Sequence, residues 1–171
     1  MTVPPALFPE RLQDAPLVEG LIARAFGPGR FAKTAERLRE DAGRPVRELS
    51  FVAWSEGVAV GCVRLWPVDI GGTPALMLGP FAVDEAWRRQ GLGAALILRA
   101  CDEARRRGHG LIVLVGDEPF FGPLGFSSAE ARRVRLPGPV DQRRVLVRAL
   151  RPGAADNLAG RVHAAHPAIP A

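Results

Sequence analysis

Two glycines and two arginines at the start of a predicted helix are the clearest candidates for chemistry in this sequence. They are Arg88, Arg89, Gly91 and Gly93, and they follow a strand-like run that ends near Val83. Because glycine lacks a Cβ atom, a ligand can approach the backbone closely there. The first N–H groups of a helix have no acceptor within the helix, and the helix dipole makes that end positive. The spacing therefore predicts a site for an anion such as a pyrophosphate.

Two common phosphate-binding loops do not fit this segment. The dinucleotide-binding fingerprint needs a third glycine three residues after Gly93, where this chain has Leu96. The loop of nucleotide hydrolases ends in Gly-Lys-Ser or Gly-Lys-Thr, and the segment has no such ending. The pattern that remains is Arg88-x-x-Gly91-x-Gly93.

The elements around this segment predict a mixed sheet with helices packed on it, of the α/β or α+β class. Turn residues separate the first three strands, which should form an antiparallel meander. The predicted strands cover residues 49–54, 58–68, 74–83, 111–115, 127–136 and 143–150. The predicted helices cover residues 14–26, 31–41 and 90–107, with a short helical turn at 119–122. We expect one domain over residues 1–152 and a tail without fixed structure over residues 153–171.

A formal net charge of +5 makes nucleic-acid binding an alternative to weigh. Nearly all of the cations are arginines, since Lys33 is the only lysine, and they cluster only at residues 105–107 and 132–135. Aromatic residues make up 6% of the chain and do not alternate with the basic ones, which disfavours a base-stacking surface. We therefore expect no nucleic-acid partner, and salt-sensitive binding to random oligonucleotides would contradict this.

Other residue types indicate where the protein works and exclude further classes of site. Cys62 and Cys101 have neither disulfide nor metal-ligand spacing, and we expect buried thiols in a reducing compartment. His163 and His166 also lack partners at metal-ligand spacing, so no metal is expected. The first residues do not form a signal peptide, and no apolar run is long enough to cross a membrane. These observations predict a cytoplasmic protein.

The pattern Arg88-x-x-Gly91-x-Gly93 resembles the core motif of the GNAT N-acetyltransferase superfamily, Gln/Arg-x-x-Gly-x-Gly/Ala, in the same strand-to-helix setting. The resemblance extends over about residues 17–150 and includes the sequence GDEPFFGPLGF at residues 116–126. The phrases LWPV, LGP and VGD at residues 65–68, 78–80 and 115–117 are similar to a bacterial branch of predicted acetyltransferases. The resemblance implies a centrally splayed mixed sheet of about six to seven strands flanked by about four helices, with acetyl-CoA in the gap.

The resemblance also implies roles for individual residues. The backbone from Phe81 through Ala82 to Val83 would pair with the pantetheine arm, and the Phe81 N–H would polarise the thioester carbonyl. Asp117 and Phe121 would flank the pantetheine and its thiol end. The pyrophosphate would be held by backbone N–H groups beside Arg88, namely those of Arg89, Gln90, Gly91, Leu92, Gly93 and Ala94.

The usual proton-transfer groups of the family are missing from this chain. It contains no tyrosine, and Phe120 and Phe121 stand where the acid that protonates the thiolate would be expected. Met77 stands where many members have a basic glutamate. Three alternatives follow: water carries the protons, which we favour; another residue takes over; or the fold binds acyl-CoA without turnover. By sequence position the nearest substitutes are Glu56, Asp84, Glu85 and His109.

The acceptor implied by the resemblance is an amine, on a small molecule or on a protein terminus or lysine. Neither cysteine lies in the motif, so direct transfer is expected rather than a covalent intermediate. Residues 27–43 and 127–139 would border the acceptor, and Arg64 and Trp66 could line its groove. The alternative function is a non-catalytic acyl-CoA-binding or sensing module. The protein could be a monomer or a homodimer.

Overall fold

The structure, a computed structural model, describes residues 3–27 and 33–165. The described residues form one eight-stranded sheet and four α-helices. The strands are β1 (Ala6–Pro9), β2 (Phe51–Ser55), β3 (Val58–Ile70), β4 (Thr73–Val83), β5 (Leu111–Val115), β6 (Val134–Arg135), β7 (Val145–Ala149) and β8 (Gly160–Ala164). The helices are α1 (Ala15–Phe26), α2 (Thr34–Ala42), α3 (Leu92–Arg106) and α4 (Glu118–Phe121). None of them is long and apolar enough to span a membrane.

The sheet runs in the order β1-β2-β3-β4-β5-β7, with β8 paired to β3 and β6. Neighbours from β1 to β4 are antiparallel, as the predicted meander requires, and β5 pairs antiparallel with β7. The β4–β5 pair in the middle is parallel. The mixed sheet with its helices confirms the predicted fold class.

The sheet opens in its middle because β4 and β5 share only a short ladder. The parallel register consists of Leu76 opposite Ile112 and Met77 opposite Val113. Beyond Met77, β4 stays paired with β3 as far as Val83, while β5 stays paired with β7. The carboxyl-terminal ends of the two strands therefore part, and this confirms the predicted central splay.

Helices cover both faces of the sheet because each presents one apolar face. The predicted buried face of α3 is confirmed, since Leu92, Leu96 and Ala100 pack in the same cluster as Phe51 and Leu65. On the other face, α1 and α2 bury their own leucines against the sheet. Burial of each such leucine contributes about 1.5–3 kcal/mol. This packing fixes the start of α3 beside the splayed end of β4.

Most predicted boundaries shift by one to three residues in the structure, and one predicted strand is largely replaced. The predicted strand over residues 127–136 is mostly turns, with a single bridge from Ser127 to Val147 and the short β6. Here the side-chain amide of Gln142 donates hydrogen bonds to the carbonyls of Ala131 and Val134, replacing ladder partners. The predicted helix from residue 90 begins instead at Leu92. Part of the predicted second helix, residues 31 and 32, lies outside the described residues.

The prediction of an unstructured tail is wrong for its described part. Residues 160–164 form β8, and its Val162 is fully buried. The physical reason is the length of β3, which continues past its ladder with β2 and leaves an open edge. Strand β8 pairs with that edge, so that Ile70 lies opposite Val162. The short edge strand β1 was also missed, because its four residues include a proline and show no clear alternation. His166 lies outside the described residues.

Candidate active site

A cavity of about 630 Å³ lies where β4 and β5 part. Its walls come from five places: the splayed part of β4, the end of β5 with α4, the end of α1, helix α2, and the segment before β7. The lining residues on the sheet and α4 are Met77, Leu78, Gly79, Pro80, Phe81, Leu114, Val115, Gly116, Asp117, Phe120 and Phe121. The remaining lining residues are Phe26, Lys33, Thr34, Ala35, Glu36, Arg37, Arg39, Pro139, Val140, Asp141 and Arg144.

Aromatic rings form the wall nearest to the splayed strands. The rings of Phe81 and Phe120 stack with centroids 5.9 Å apart, and Phe121 meets each of them edge-on at 5.8 and 4.8 Å. Phe126 extends the cluster behind Phe121. Since these rings carry no hydroxyl group, this wall offers shape and apolar surface but no proton donor.

The glycine-rich segment adjoins this wall but does not line the cavity. Gly91 is the N-cap of α3 with a left-handed φ of 81°. Leu92, Gly93 and Ala94 are therefore the first helical residues, whose N–H groups lack acceptors within the helix. A Cβ atom on Gly93 would lie 3.3 Å from Phe81 Cε2 and 3.7 Å from Phe120 Cζ. The helix start and the aromatic wall thus meet at Gly93.

Side-chain hydrogen bonds brace the turn that precedes α3. Arg88 Nε donates to the carbonyl of Val83 at 3.1 Å, and Gln90 Nε2 donates to the carbonyl of Ala86 at 2.9 Å. Arg89 adopts a positive φ of 63°, so the backbone turns sharply between the two. The braced turn fixes the direction of α3 relative to the end of β4.

Helix α2 brings a buried pair of opposite charges to the cavity. Arg39 Nε lies 3.8 Å from a Glu36 carboxylate oxygen, and the two side chains are 11% and 15% exposed. Arg39 Nη1 lies 3.3 Å from where a Cβ atom of Gly79 would stand, so the guanidinium abuts β4. At the start of α2, Thr34 Oγ1 donates to the carbonyl of Pro139 at 2.8 Å. This bond ties the start of α2 to the segment before β7, which lines the same cavity.

The other two carboxylates of the cavity are more exposed and are paired with arginines. Asp117 accepts a hydrogen bond from Arg144 Nε at 3.2 Å, and its side chain is 74% exposed. Asp141 is 43% exposed and pairs with Arg143 at 3.0 Å. The hydrogen bond from Arg143 lowers the pKa of Asp141. Both carboxylates stand at the water-facing rim of the cavity.

None of the four substitute proton-transfer residues named from the sequence lines the cavity. Glu56 lies in the turn between β2 and β3, and Glu85 in the turn before α3. Asp84 accepts a hydrogen bond from the N–H of Ala86. His109 follows α3, where burial lowers its pKa. The structure therefore brings none of them to the site.

The expectation that Arg64 and Trp66 line an acceptor groove is wrong. Arg64 is buried and donates two hydrogen bonds to Glu10, at 3.0 and 2.8 Å, and one to Glu19 at 2.5 Å. Trp66 is 8% exposed, and its Nε1 donates to the carbonyl of Gly79 at 2.5 Å. A fixed cation needs anionic partners when it is buried, and these partners hold Arg64 away from the cavity.

Both cysteines are buried free thiols away from the cavity. Burial raises the pKa of Cys62 to about 12 and that of Cys101 to about 11. Neither sulfur is a thiolate at neutral pH, and neither can reach a ligand in the cavity. Within residues 3–27 and 33–165, no cluster of three or more His, Cys, Asp or Glu side chains is placed to hold a metal ion.

The residues that sequence reasoning missed are Glu36 and Arg39. Helix α2 carries five acidic or basic residues, namely Glu36, Arg37, Arg39, Glu40 and Asp41, and the pattern alone does not tell which face the cavity. The sequence gives a weak signal for Arg39 only. Leu38 and Ala42 are apolar and four residues apart, which indicates the buried face of α2, and Arg39 lies next to that face. No sequence signal separates Glu36 from the exposed Glu40.

The sequence matches the model of the acetyltransferase (GNAT) family over residues 17–122. A protein of Escherichia coli strain K12, described as the uncharacterized N-acetyltransferase YhbS, is 35% identical over 130 residues, which cover 73% of this chain and 76% of that protein.

Solved structures share the same architecture. The crystal structure of YhbS from Escherichia coli in complex with CoA matches with a TM-score of 0.82 at 28% identity, covering 96% of this chain and 92% of that one. A GNAT family acetyltransferase from Brucella melitensis, in complex with acetyl-CoA, shares the fold with a TM-score of 0.68 at 24% identity, covering 94% of this chain and 96% of that one. Together with the splayed sheet and the glycine-rich helix start, these similarities establish that the chain belongs to the GNAT family of acetyltransferases.

Proposed function

We propose that this protein binds acetyl-CoA in the gap between β4 and β5 and transfers the acetyl group to an amine. One observation carries the proposal: the splayed strands open into a cavity whose aromatic wall touches the glycine-rich start of α3. An extended thioester arm and a pyrophosphate need these two features side by side. The solved relatives described above hold CoA or acetyl-CoA, which supports the same ligand here.

In this proposal the backbone does most of the binding. The backbone N–H groups of the turn before α3 and of its first residues, from Arg89 to Ala94, hold the pyrophosphate, and Arg88 adds charge. The pantetheine arm runs along the unpaired side of β4 from Phe81 to Val83. The Phe81 N–H donates to the thioester carbonyl and stabilises the oxyanion that develops there.

The far end of the ligand would meet the end of β5. Asp117 and Phe121 both line the cavity there, and we propose that they flank the pantetheine and the thiol. Phe121 is 6% exposed and belongs to the aromatic cluster, so it forms a fixed apolar wall. Asp117 is exposed and paired with Arg144, so it would contact the arm from the solvent side.

The reaction is direct transfer. The amine nitrogen forms a bond to the carbonyl carbon, the carbon–sulfur bond breaks, and CoA leaves as a thiolate that takes up a proton. A covalent acyl-cysteine is disfavoured, because both thiols are buried outside the cavity and are protonated at neutral pH. The orientation of the two reactants supplies much of the acceleration.

The acceptor would enter from the side of α2 and residues 139–144, opposite the sheet wall. Its amine could belong to a small molecule or to a protein terminus or lysine. Buried free thiols suit a reducing compartment, so we place the reaction in the cytoplasm. The protein would act as a monomer or a homodimer.

A non-catalytic acyl-CoA-binding module is the second candidate function. The observation that favours it is the aromatic wall of Phe81, Phe120 and Phe121, which lacks any hydroxyl group to protonate the thiolate. The two functions share the ligand and differ in turnover.

Calorimetric titration with acetyl-CoA, dephospho-CoA and pantetheine tests the proposal. We expect micromolar binding of the first two and at least a hundredfold weaker binding of pantetheine, which lacks the pyrophosphate. Thiol release from acetyl-CoA in the presence of a panel of amines then separates the two functions. Absence of binding to all three ligands would refute the assignment, while binding without thiol release would favour the sensing module.

A further inference from the structure

Acetyl transfer to an amine requires that one proton be removed from the attacking nitrogen. A candidate acceptor for this proton lies on α2. When the nitrogen attacks the thioester it must lose a proton, while the thiolate gains one. The aromatic wall has no group that can accept a proton, and Met77 in the same cavity has none either. The following inference rests on the proposed function and concerns the group that takes this proton.

The carboxylates of the cavity are Asp117, Asp141 and Glu36, and they differ in burial. The side chains of Asp117 and Asp141 are 74% and 43% exposed, whereas that of Glu36 is 15% exposed. The two aspartates accept hydrogen bonds from arginines at the rim. A carboxylate sheltered from bulk water at the wall is the better placed proton acceptor, because water does not compete for the same nitrogen.

The surroundings of Glu36 fix its helix against the strand that would hold the acyl group. Its neighbour Arg39 lies 3.8 Å away and also abuts Gly79, which precedes Phe81 by two residues on β4. Thr34 anchors the start of the same helix to the carbonyl of Pro139. Glu36 and Phe81 therefore line the same cavity of about 630 Å³, which the acceptor would enter.

We propose that Glu36 is the proton acceptor for the acceptor amine. As the nitrogen bonds to the carbonyl carbon, its proton passes to the Glu36 carboxylate, and the carbon–sulfur bond breaks. The proton leaves Glu36 through water, and the CoA thiolate takes up one proton from water, so that charge and atoms balance. Arg39 is a positioning residue, because its guanidinium lies between the Glu36 carboxylate and the backbone of Gly79.

The test compares E36Q with E40Q, which changes an exposed glutamate on the same helix outside the cavity. Thiol release is measured with the primary amine that the wild-type protein uses best among glycinamide, ethanolamine, spermidine and a short peptide. We expect kcat of E36Q to fall about 100-fold, the typical contribution of a positioned base. We also expect E40Q to match the wild type and both variants to keep the wild-type Kd for acetyl-CoA.

The pH profile separates a proton acceptor from a structural residue. At saturating amine, kcat of E36Q should rise more steeply with pH than the wild-type kcat over about pH 7 to 9, because hydroxide replaces the missing base only in the variant. Equal profiles for E36Q and wild type, or a loss that is constant at every pH, would overturn the role of Glu36. A wild-type protein that binds acetyl-CoA but acetylates no amine would instead overturn the proposed transfer itself.

Discussion

Gly93 and Phe81 face each other so closely that a Cβ atom on the glycine would lie 3.3 Å from the phenylalanine ring. One residue begins α3, and the other lies on the splayed part of β4. Their contact joins the two elements that we propose bind opposite ends of one ligand. Any side chain at position 93 must push on the ring or occupy the space before it.

The first prediction follows from this contact. We expect G93V to weaken acetyl-CoA binding at least tenfold, because the added methyl groups displace Phe81 and obstruct the helix start. Calorimetry with the ligand gives the affinity, and circular dichroism gives the melting temperature. G20V, a matched change in α1 outside the cavity, should leave the affinity unchanged. Wild-type affinity in G93V would show that the ligand does not use this junction.

The second prediction separates backbone strain from ligand contact. Gly91 and Gly57 have similar left-handed φ angles, 81° and 78°, and a Cβ atom at either would meet no atom within 4 Å. Alanine at either position should cost about 1–2 kcal/mol of unfolding free energy. Only G91A should also weaken acetyl-CoA binding, since the open space at position 91 is where the pyrophosphate would lie. Equal affinities in the two variants would place the pyrophosphate elsewhere.

A third prediction concerns the buried ion cluster below α1. Arg64 pairs bidentately with Glu10, and removal of the cation leaves that carboxylate without its main partner. R64M should lower the unfolding free energy by about 3–5 kcal/mol, measured by urea denaturation. In the double variant with E10L the loss should be smaller than in R64M alone, because the uncompensated charge is gone. Additive losses in this cycle would mean that the pair contributes no coupling.

The fourth prediction is a loss of stability at alkaline pH. Burial raises the pKa of Cys62 from its ordinary 9.0 to about 12 and that of Cys101 to about 11. The folded state holds these protons more tightly than the unfolded state, so the stabilisation is complete below about pH 9 and is lost as pH rises through the folded values. The slope should approach about 1.4 kcal/mol per pH unit for each thiol.

This chain suits that measurement because it contains no tyrosine and has Lys33 as its single lysine. The control is the double variant C62A/C101A, which should be less stable at pH 8 but should show a much flatter decline above pH 9. An equally steep decline in the control would assign the effect to other groups.

Much of the fold could be predicted because most of its helices and strands follow from local sequence patterns. The spacing of Leu92, Leu96 and Ala100 gave the buried face of α3, and turn residues separated β2, β3 and β4. The errors came from long-range pairing. Strand β8 forms because it pairs with an open edge of β3, which lies some ninety residues earlier in the chain. No local sequence pattern near residue 160 predicts this pairing. Residues 127–136 resemble a strand in sequence, but the carbonyls of Ala131 and Val134 accept hydrogen bonds from the Gln142 side chain instead of a neighbouring strand.

The residues of the site also fall into those that local sequence patterns predict and those that depend on contacts between distant segments. The glycine-rich turn could be predicted because its requirements are local: a left-handed residue at Gly91 and no side chain at Gly93. Glu36 could not be predicted, because the role that we propose for it depends on how α2 lies against β4. Arg64 was instead assigned to the site wrongly. Its position on a predicted strand suggested that it lines a groove, but it is buried and forms hydrogen bonds with Glu10 and Glu19.

Strand β8 has a practical consequence for anyone who shortens this protein. A fragment that stops at residue 152 would contain every element of the cavity but would strip the final ladder from β3, exposing Val68, Asp69 and Ile70 along an open edge. Unpaired apolar edges of this kind recruit strands from other molecules. We therefore expect β8 to protect the edge of β3 from pairing with other molecules, so a shortened protein should retain this strand although none of its residues lines the cavity.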